Sequence, residues 1–394
     1  MAAVTSRNFT RREFLHGSAT VLAAAAAGAS LFRCSGPSPA PKAYGLVRAE
    51  GSHRELGQQH GEQAVEEIRA HVDSIGHGQK LSREQLRTKA LRFQPLFERH
   101  CPHLLTEIEG LAEGAGIPLA EALAVNIRGE LGKVKGDGCT TYVLGKKSTA
   151  AGGVLIGQNS DMMQPNLEMG YVLHLKPVGK PQVLIWTYGG MIGYHGMNSV
   201  GVAQFANALG GGPPGQFALP HGPLKRLMLE CTHLSEVLEI FNRVPLASNG
   251  NYVVCDGDGK ILDIEATTRG PRLLRDDGAG FLAHSNHFLC APYANQENHE
   301  KSMSDSFDRL DRINEMIRAK LGSITVESIQ RYLSDHASYP TSICRHPQTS
   351  DLGKGFEVAG RTVAAMIAEP AEQRMHVARG NPCESQFVTY SMDM

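Results

Sequence analysis

Cys139 stands in the stretch Gly136-Asp-Gly-Cys-Thr-Thr-Tyr-Val-Leu144, at the first position of a β-rich run. A thiol there has two readings. It can be a small buried hydrophobe, as free cysteines commonly are. It can also be a nucleophile aimed at its own chain. Gly138 has no Cβ, so the peptide bond ahead of Cys139 can be approached closely and held in a strained conformation. Attack of the thiol on the Gly138 carbonyl would give an N-to-S acyl shift and a thioester that water hydrolyses. Cys139 would then carry a free α-amino group, whose unperturbed pKa of about 7.7–8.0 suits a general base at neutral pH. One residue would supply nucleophile and base, the logic of a catalytic N-terminal threonine.

Other catalytic templates are missing from the sequence. It holds no G-x-G-x-x-G, P-loop, H-E-x-x-H or G-x-S-x-G. Gly210–Gln216 (GGGPPGQ) is glycine-rich, but its prolines remove backbone donors that a phosphate cradle needs. The eight cysteines include no C-x-x-C pair and no Cys/His spacing typical of zinc sites, so neither metal nor cofactor is expected. His284 and His287 lie three apart in a strand-to-loop segment with no third ligand in view. Glu265 reads as a structural pairing partner. Cys101, Cys231, Cys255, Cys290, Cys344 and Cys383 read as buried thiols.

The elements that must position Cys139 change character at that residue. Ahead of it, Ala43–Ser52 reads as a strand and turn. A helical run follows from His53 to about Ile75, with Leu56, His60, Ala64, Ile68 and Val72 on one face. Three further helices are expected: one capped by Ser82, one stopped by Gly114 and Gly116, and one started by Pro118. After Cys139 come short β-rich runs separated by Gly, Pro and Asn, then a helical pair beginning at about His221. Strands return from Asn249, with a hairpin turn at Asp256-Gly-Asp-Gly. Helices are expected over about 302–319 and 326–333, and three strands close the chain. Strand groups alternating with helical pairs imply α+β layering.

At 394 residues, 41% hydrophobic and 20% charged, the composition is that of a globular protein able to bury a large core. A net charge of −1 gives no reason to expect nucleic acid or an anionic membrane surface as partner. Residues 1–42 read as an export leader and Pro-rich linker. Thr10-Arg-Arg-Glu-Phe-Leu15 is a twin-arginine pattern, followed by an alanine-rich run over Gly17–Leu31 too short for a stable membrane span. This implies export by the twin-arginine route to the periplasm or cell envelope. Cys34, three residues after Leu31, is a possible lipid anchor, but Phe32 and Arg33 are poor neighbours for one. Cleavage and release is favoured.

From about residue 44 to the C-terminus the chain resembles the acyl-coenzyme A:6-aminopenicillanate acyltransferase (isopenicillin-N acyltransferase-like) family of N-terminal-nucleophile cysteine hydrolases. The resemblance rests on DGCTTYVL and GVLIGQNSDM, and on GMNSVGVAQFANAL, DGDGKILDIEAT, HSNHF, SFDRLDR, TSICRHP and VARGNPCESQFVTY. It implies a four-layer αββα sandwich of class α+β, formed jointly by a mainly helical segment, 43–138, and a segment 139–394 that carries the nucleophile. It implies Cys139 as the autoprocessing nucleophile, with cleavage between Gly138 and Cys139 giving an α/β heterodimer. Asp161 is implied as a carboxylate near the cysteine amine, and Asn286 as a side-chain donor to the oxyanion. Arg345 is implied as a fixed cation that organises the Asp or holds a substrate carboxylate, and Asn207 as a second polar group facing the site. The reaction implied is cleavage or transfer of an acyl group on a small N-acyl amide or peptide through an acyl-thioester, without a cofactor. Two alternatives stay open: a choloylglycine or penicillin V acylase-like amidase, and an exported binding lipoprotein that kept the fold without the chemistry.

Overall fold

The computed structural model describes residues 43–132, 138–294, 304–347 and 360–393, which belong to one unit. The expected leader, Cys34 and the Gly136-Asp137 pair lie outside the described residues. Eight strands form one sheet in the order β1 (Gly45–Gly51), β4 (Gly170–Pro177), β5 (Val183–Tyr188), β6 (His195–Asn198), β7 (Ala203–Ala208), β8 (Gly250–Cys255), β9 (Ile261–Thr267) and β10 (Gly270–Leu274). Six form a second, ordered β11 (Phe281–His284), β2 (Gly138–Leu144), β3 (Leu155–Met163), β12 (Gly360–Glu369), β13 (Arg374–Arg379) and β14 (Phe387–Ser391). Every pairing is antiparallel except β1 with β4.

Period-two alternation along these strands sorts apolar side chains onto opposite faces, and each face finds its own cover. Val143, Ile156 and Met366 of the six-stranded sheet meet Val172, Trp186 and Phe205 of the eight-stranded one. Their neighbours Tyr142, Leu144 and Ile367 point the other way, onto Ile313, Ile317, Ile329 and Leu333 of the helices Ser304–Arg318 and Val326–Leu333. Tyr171, Leu173 and Ile185 leave the opposite face of the larger sheet and pack on Leu56, Ile68, Leu104 and Ile108. Each such side chain, fully buried, contributes about 1.5–3 kcal/mol. The layers therefore run helix, sheet, sheet, helix, which is the αββα sandwich.

Among the described residues the helices upstream of Cys139 are α1 (His53–Gln63), α2 (Val65–Gln79), α3 (Arg83–Leu91), α4 (Gln94–His100), α5 (Pro102–Ala115), α6 (Leu119–Asn126) and the single turn α7 (Arg128–Leu131). Ser52 and Ser82 each form a capping box, with Glu55 and Gln85. Three helices expected to be continuous are broken. The first turns at Ala64, whose φ of −121° leaves the helical region. The second breaks around Phe93, because Pro95 cannot donate to the preceding turn. The one started by Pro118 breaks at Ile127, whose φ of −126° leaves the helical region. Of the two glycines expected to stop α5, only Gly116 caps it, in a left-handed conformation.

Gly114 has a different task. Gly57 and Gly61 on α1 face Gly110 and Gly114 on α5, and the two backbones touch. A Cβ on Gly110 would lie 2.1 Å from the Arg54 carbonyl oxygen, and one on Gly57 would lie 1.8 Å from that of Glu107. Backbone cannot step aside as a side-chain tip can. Gly110→Ala is therefore expected to destabilise by about 1–3 kcal/mol despite the better helix propensity of alanine. Gly78→Ala on exposed α2, where a Cβ meets nothing within 4 Å, should instead be neutral or stabilise by up to about 1 kcal/mol. Thermal melts of the two variants read the difference in sign.

Candidate active site

Strand β2 starts at Gly138, and its ladder with β3 sets Gly138 opposite Asp161 and Cys139 opposite Ser160. Cys139 shares its face with Thr141, whose hydroxyl donates to Asn207 Oδ1 on β7 at 2.7 Å. That face looks into the space between the sheets. Asp161 shares the other face with Asn159, whose amide donates at 2.8 Å to both the Leu333 and Ile343 carbonyls in the outer layer. The thiol and the carboxylate thus flank one strand end from opposite sides. Between them stands Gly138: a Cβ there would lie 3.2 Å from Asp161 Oδ2 and 3.3 Å from Arg345 Nη2. The missing side chain brings the acid and the guanidinium up against the backbone just ahead of Cys139.

Three side chains from three separate segments hold the backbone of Cys139. Its N–H donates to Asn286 Oδ1 at 3.0 Å. Its carbonyl accepts from Asn207 Nδ2 at 3.1 Å and from Arg309 Nη1 at 2.6 Å. Arg309 also donates to Thr140 Oγ1 at 3.0 Å and to Asn286 Oδ1 at 2.8 Å, and pairs with Asp305 at 3.2 Å. Asn286 is pinned at its own backbone as well, donating N–H to Ser306 Oγ and accepting from Gly210 N–H. The Asn286 side chain accepts from Cys139 through Oδ1 and donates one of its two amide protons to the Ala208 carbonyl at 3.0 Å.

Beneath Gly138 two guanidiniums share two carboxylates. Arg345 Nε donates to Asp161 Oδ2 at 3.2 Å, and its Nη2 pairs with Asp305. The Thr362 hydroxyl donates to Asp161 Oδ1 at 2.7 Å and accepts from the Arg345 backbone N–H at 2.9 Å. Burial pushes the Asp161 carboxyl above the usual range, against the pull of Arg345, Arg309 and Thr362. Half-buried Asp305 goes the other way: burial raises it, but Arg309 and Arg345 outweigh that and hold it below the usual range. Burial likewise draws Arg309 down from the ordinary guanidinium value, opposed by Asp161 and Asp305. The outcome is a dense charge cluster that fixes the first residues of β2.

All four residues singled out with Cys139 (Asp161, Asn207, Asn286 and Arg345) meet around the strand start. Arg309, Asp305 and Thr362 were missed. SFDRLDR carries Arg309, and Asp305 lies just ahead of that block, four residues before Arg309 on the same helix. His284 and His287 do not converge. His284 bonds Glu265 at 3.1 Å, while His287 stands 2.8 Å from Ser306 Oγ. Glu265 is a structural partner as expected, also accepting from the Cys290 N–H at 3.1 Å. The cysteines depart from expectation in part: Cys101, Cys231, Cys255 and Cys344 are buried thiols, but Cys290 is half-buried and Cys383 exposed. Cys383 is exposed because it lies in the turn between β13 and β14.

Cys139, Asp161 and Asn207 open onto a cavity of about 550 Å³, a size suited to a small organic ligand. Met162, Met191, Tyr194 and Tyr252 supply apolar wall, and Lys225 and Arg128 supply positive charge. Lys225 Nζ lies 4.2 Å from the centre of the Tyr194 ring, a cation–π contact. His195 and His221 also line it, and burial drives both imidazoles toward the neutral form, with Lys225 adding to the effect.

The model of one protein family, acyl-coenzyme A:6-aminopenicillanic acid acyl-transferase, matches residues 148–384. That range holds Asp161, Asn207, Asn286, Arg309 and Arg345, while Cys139 lies just ahead of it. The chain is 28% identical over 364 residues to the acyl-coenzyme A:6-aminopenicillanic-acid-acyltransferase 40 kDa form of Emericella nidulans, covering 88% of this chain and 96% of that one. Among solved structures it is similar to a C2A mutant of the conjugated bile acid hydrolase from Clostridium perfringens, with 12% identity and a TM-score of 0.39 over 64% of this chain and 96% of that one. It is also similar to penicillin V acylase from Agrobacterium tumefaciens, with 10% identity and a TM-score of 0.39 over 61% and 82%. With well over half of its length matched by the family model, the chain belongs to the acyl-coenzyme A:6-aminopenicillanic acid acyl-transferase family.

Proposed function

We propose that the protein is an autoprocessing N-terminal-cysteine amidohydrolase or acyltransferase that acts on a small N-acyl amide or peptide through an acyl-thioester on Cys139. One observation carries this reading. Asn286, Asn207 and Arg309 grip the N–H and carbonyl of a single cysteine whose face opens onto a ligand-sized cavity. A cysteine kept only for packing needs no such scaffold.

In the first reaction the thiol adds to the Gly138 carbonyl. The C–N bond to Cys139 breaks as the nitrogen gains a proton, and water then hydrolyses the thioester to a Gly138 carboxylate and a free thiol. The new α-amine sits where Asn286 Oδ1 receives its N–H, close to the Asp161–Arg345 pair that flanks Gly138. In the second reaction that amine takes the thiol proton, and the sulfur attacks the substrate carbonyl. The proton passes to the departing amine, leaving an acyl-thioester. Water, or a second amine, then takes the acyl group. Similarity to the Emericella acyltransferase supports this class of chemistry. Arg128 and Lys225, set on a wall that also holds Glu130 and Asp161, support a substrate that carries a carboxylate. The twin-arginine leader supports export of the folded protein to the cell envelope, with release favoured over anchoring through Cys34.

The test is an intact-mass measurement on the purified wild-type protein under denaturing conditions, followed by a panel of N-acyl amino acids and β-lactam amides assayed for amine release. Two polypeptides are expected, the larger beginning at Cys139, with turnover of at least one N-acyl amide. A wild-type chain that stays whole under all conditions would refute autoprocessing.

A further inference from the structure

Outside the site, four side chains with metal-binding atoms come together: His336, Cys344, His346 and Cys383, all mutually within 4.8 Å. Neighbouring donor atoms are spaced as a tetrahedral ion spaces them. Zinc binds sulfur at about 2.3 Å and imidazole nitrogen at about 2.0–2.1 Å, so tetrahedral angles set S···S near ~3.8 Å, S···N near ~3.5 Å and N···N near ~3.4 Å. Here the two Sγ atoms are 3.6 Å apart. His346 Nε2 lies 3.6 Å from Cys344 Sγ and 3.4 Å from Cys383 Sγ, and the two Nε2 atoms are 3.1 Å apart. The surroundings fit as well. The Asn381 amide donates to Cys344 Sγ at 3.3 Å, as a hydrogen bond to a metal thiolate does, and Glu384 stands 3.8 Å from His346 Nδ1, the ring nitrogen left for a carboxylate.

We propose that these four residues form a structural Cys₂His₂ zinc site. All four positions are filled by protein, leaving none for a substrate, which marks such a site as structural and not catalytic. Its place gives it a task that deepens the function proposed above and rests on that reading. Arg345 is the residue between two of the ligands, and the third and fourth come from the Ser334–Tyr339 segment and from the turn after β13. The ion therefore ties the segment carrying Arg345 to two other parts of the fold. The Asn381 amide grips the Arg345 carbonyl at 2.6 Å from the same side. Arg345 is thus a residue positioned by the metal, and with it Asp161 is held against Gly138.

The experiment uses the full-length Cys139→Ala protein, so that metal content is read independently of cutting or turnover. Purified after growth with zinc, it is expected to hold about one zinc per chain by elemental mass spectrometry. Replacement by cobalt should give the visible absorption of a tetrahedral thiolate site. Both signals should vanish in His336→Ala/Cys383→Ser, whose changes fall at the two exposed ligands and leave the core untouched. In the otherwise wild-type chain the same pair should slow the appearance of cut fragments. The proposal is overturned by any of three results: free thiols with no zinc retained, zinc retained at full stoichiometry in the double variant, or a Cys344–Cys383 disulfide in the native protein by alkylation and mass. Failure of the autoprocessing proposal leaves the zinc count unaffected.

Discussion

Cys139→Ala is expected to yield one uncut chain with no amide-cleaving activity above background, while keeping the wild-type fold. The same sulfur acts in both reactions, so removing it stops both. In enzymes where a nucleophile works as one unit with its base, its loss costs on the order of 10⁶-fold in kcat. The structural cost is small, because Cys139 contributes one sulfur atom at the rim of a cavity, and the bonds to its N–H and carbonyl remain. Cys139→Ser sharpens the outcome. It keeps size and polarity but replaces the thiol with a hydroxyl, a far weaker acid and poorer nucleophile, so cutting should be slow rather than absent. A time course of fragment appearance by intact mass, with circular dichroism as a check on folding, separates the cases. Cleavage of the alanine variant at the same bond would point to an outside protease.

The second large effect is expected at Arg309→Met. Its guanidinium is fully buried and joins the Cys139 carbonyl, the Thr140 hydroxyl, Asn286 Oδ1 and Asp305. Methionine fills the volume and supplies none of the donors. Half-buried Asp305 would keep Arg345 but lose Arg309, and the buried Asn286 and Cys139 carbonyl would lose a donor, a change that costs about 1–3 kcal/mol. The catalytic loss has a separate cause. Without Arg309 the Cys139 carbonyl and Asn286 lose their common anchor, so the nucleophile is no longer held in one orientation. A reduction of about 10²–10³ in the rate of cutting is expected, as for loss of one preorganised donor. Arg309→Lys keeps the charge but cannot span its partners from one nitrogen, and should recover more of the stability than of the rate. Thermal shift and fragment time courses, run side by side, read the two effects. An Arg309→Met protein that cuts at the wild-type rate would remove Arg309 from the mechanism.

How much of this was legible beforehand depended on whether the controlling interactions were local. Strand alternation in TTYVL and in the three C-terminal runs is local, and those strands stand where they were expected. The start of β2 was marked by Gly138 and Cys139 themselves. Arg309 was not legible as a site residue, because an arginine four residues from an aspartate on a helix looks like an ordinary surface pair. Its partners on β2 and at Asn286 are distant in sequence. The role of Asn286 as an acceptor depends on Ala208 and Gly210 across the fold, and no spacing encodes that. The zinc ligands escaped for the same reason: Cys344 and His346 are separated by a single residue, and Cys383 arrives only when β12 and β13 fold back. Gly114 misled in an instructive way. A glycine near a helix end looks like a stop, and only the contact with Gln58, where a Cβ would meet a carbonyl oxygen at 2.0 Å, shows it to be an interface residue.

The segment ahead of Cys139 is not laid on the molecule but woven into it. Strand β1 runs seven residues beside β4. The Tyr44 hydroxyl reaches the Val363 carbonyl, and the Tyr390 hydroxyl reaches back to that of Tyr44, each at 2.7 Å. With the bond before Cys139 cut as proposed, the same contacts would hold two polypeptides together, and melting the fold would become a dissociation. The midpoint of unfolding should then depend on protein concentration, and recovery should become second order, slowing on dilution. The proposed cutting would thus turn a reversible folding equilibrium into a kinetic trap that dilution does not reset: the molecule would be assembled once, as a single chain, and persist by the slowness of its opening.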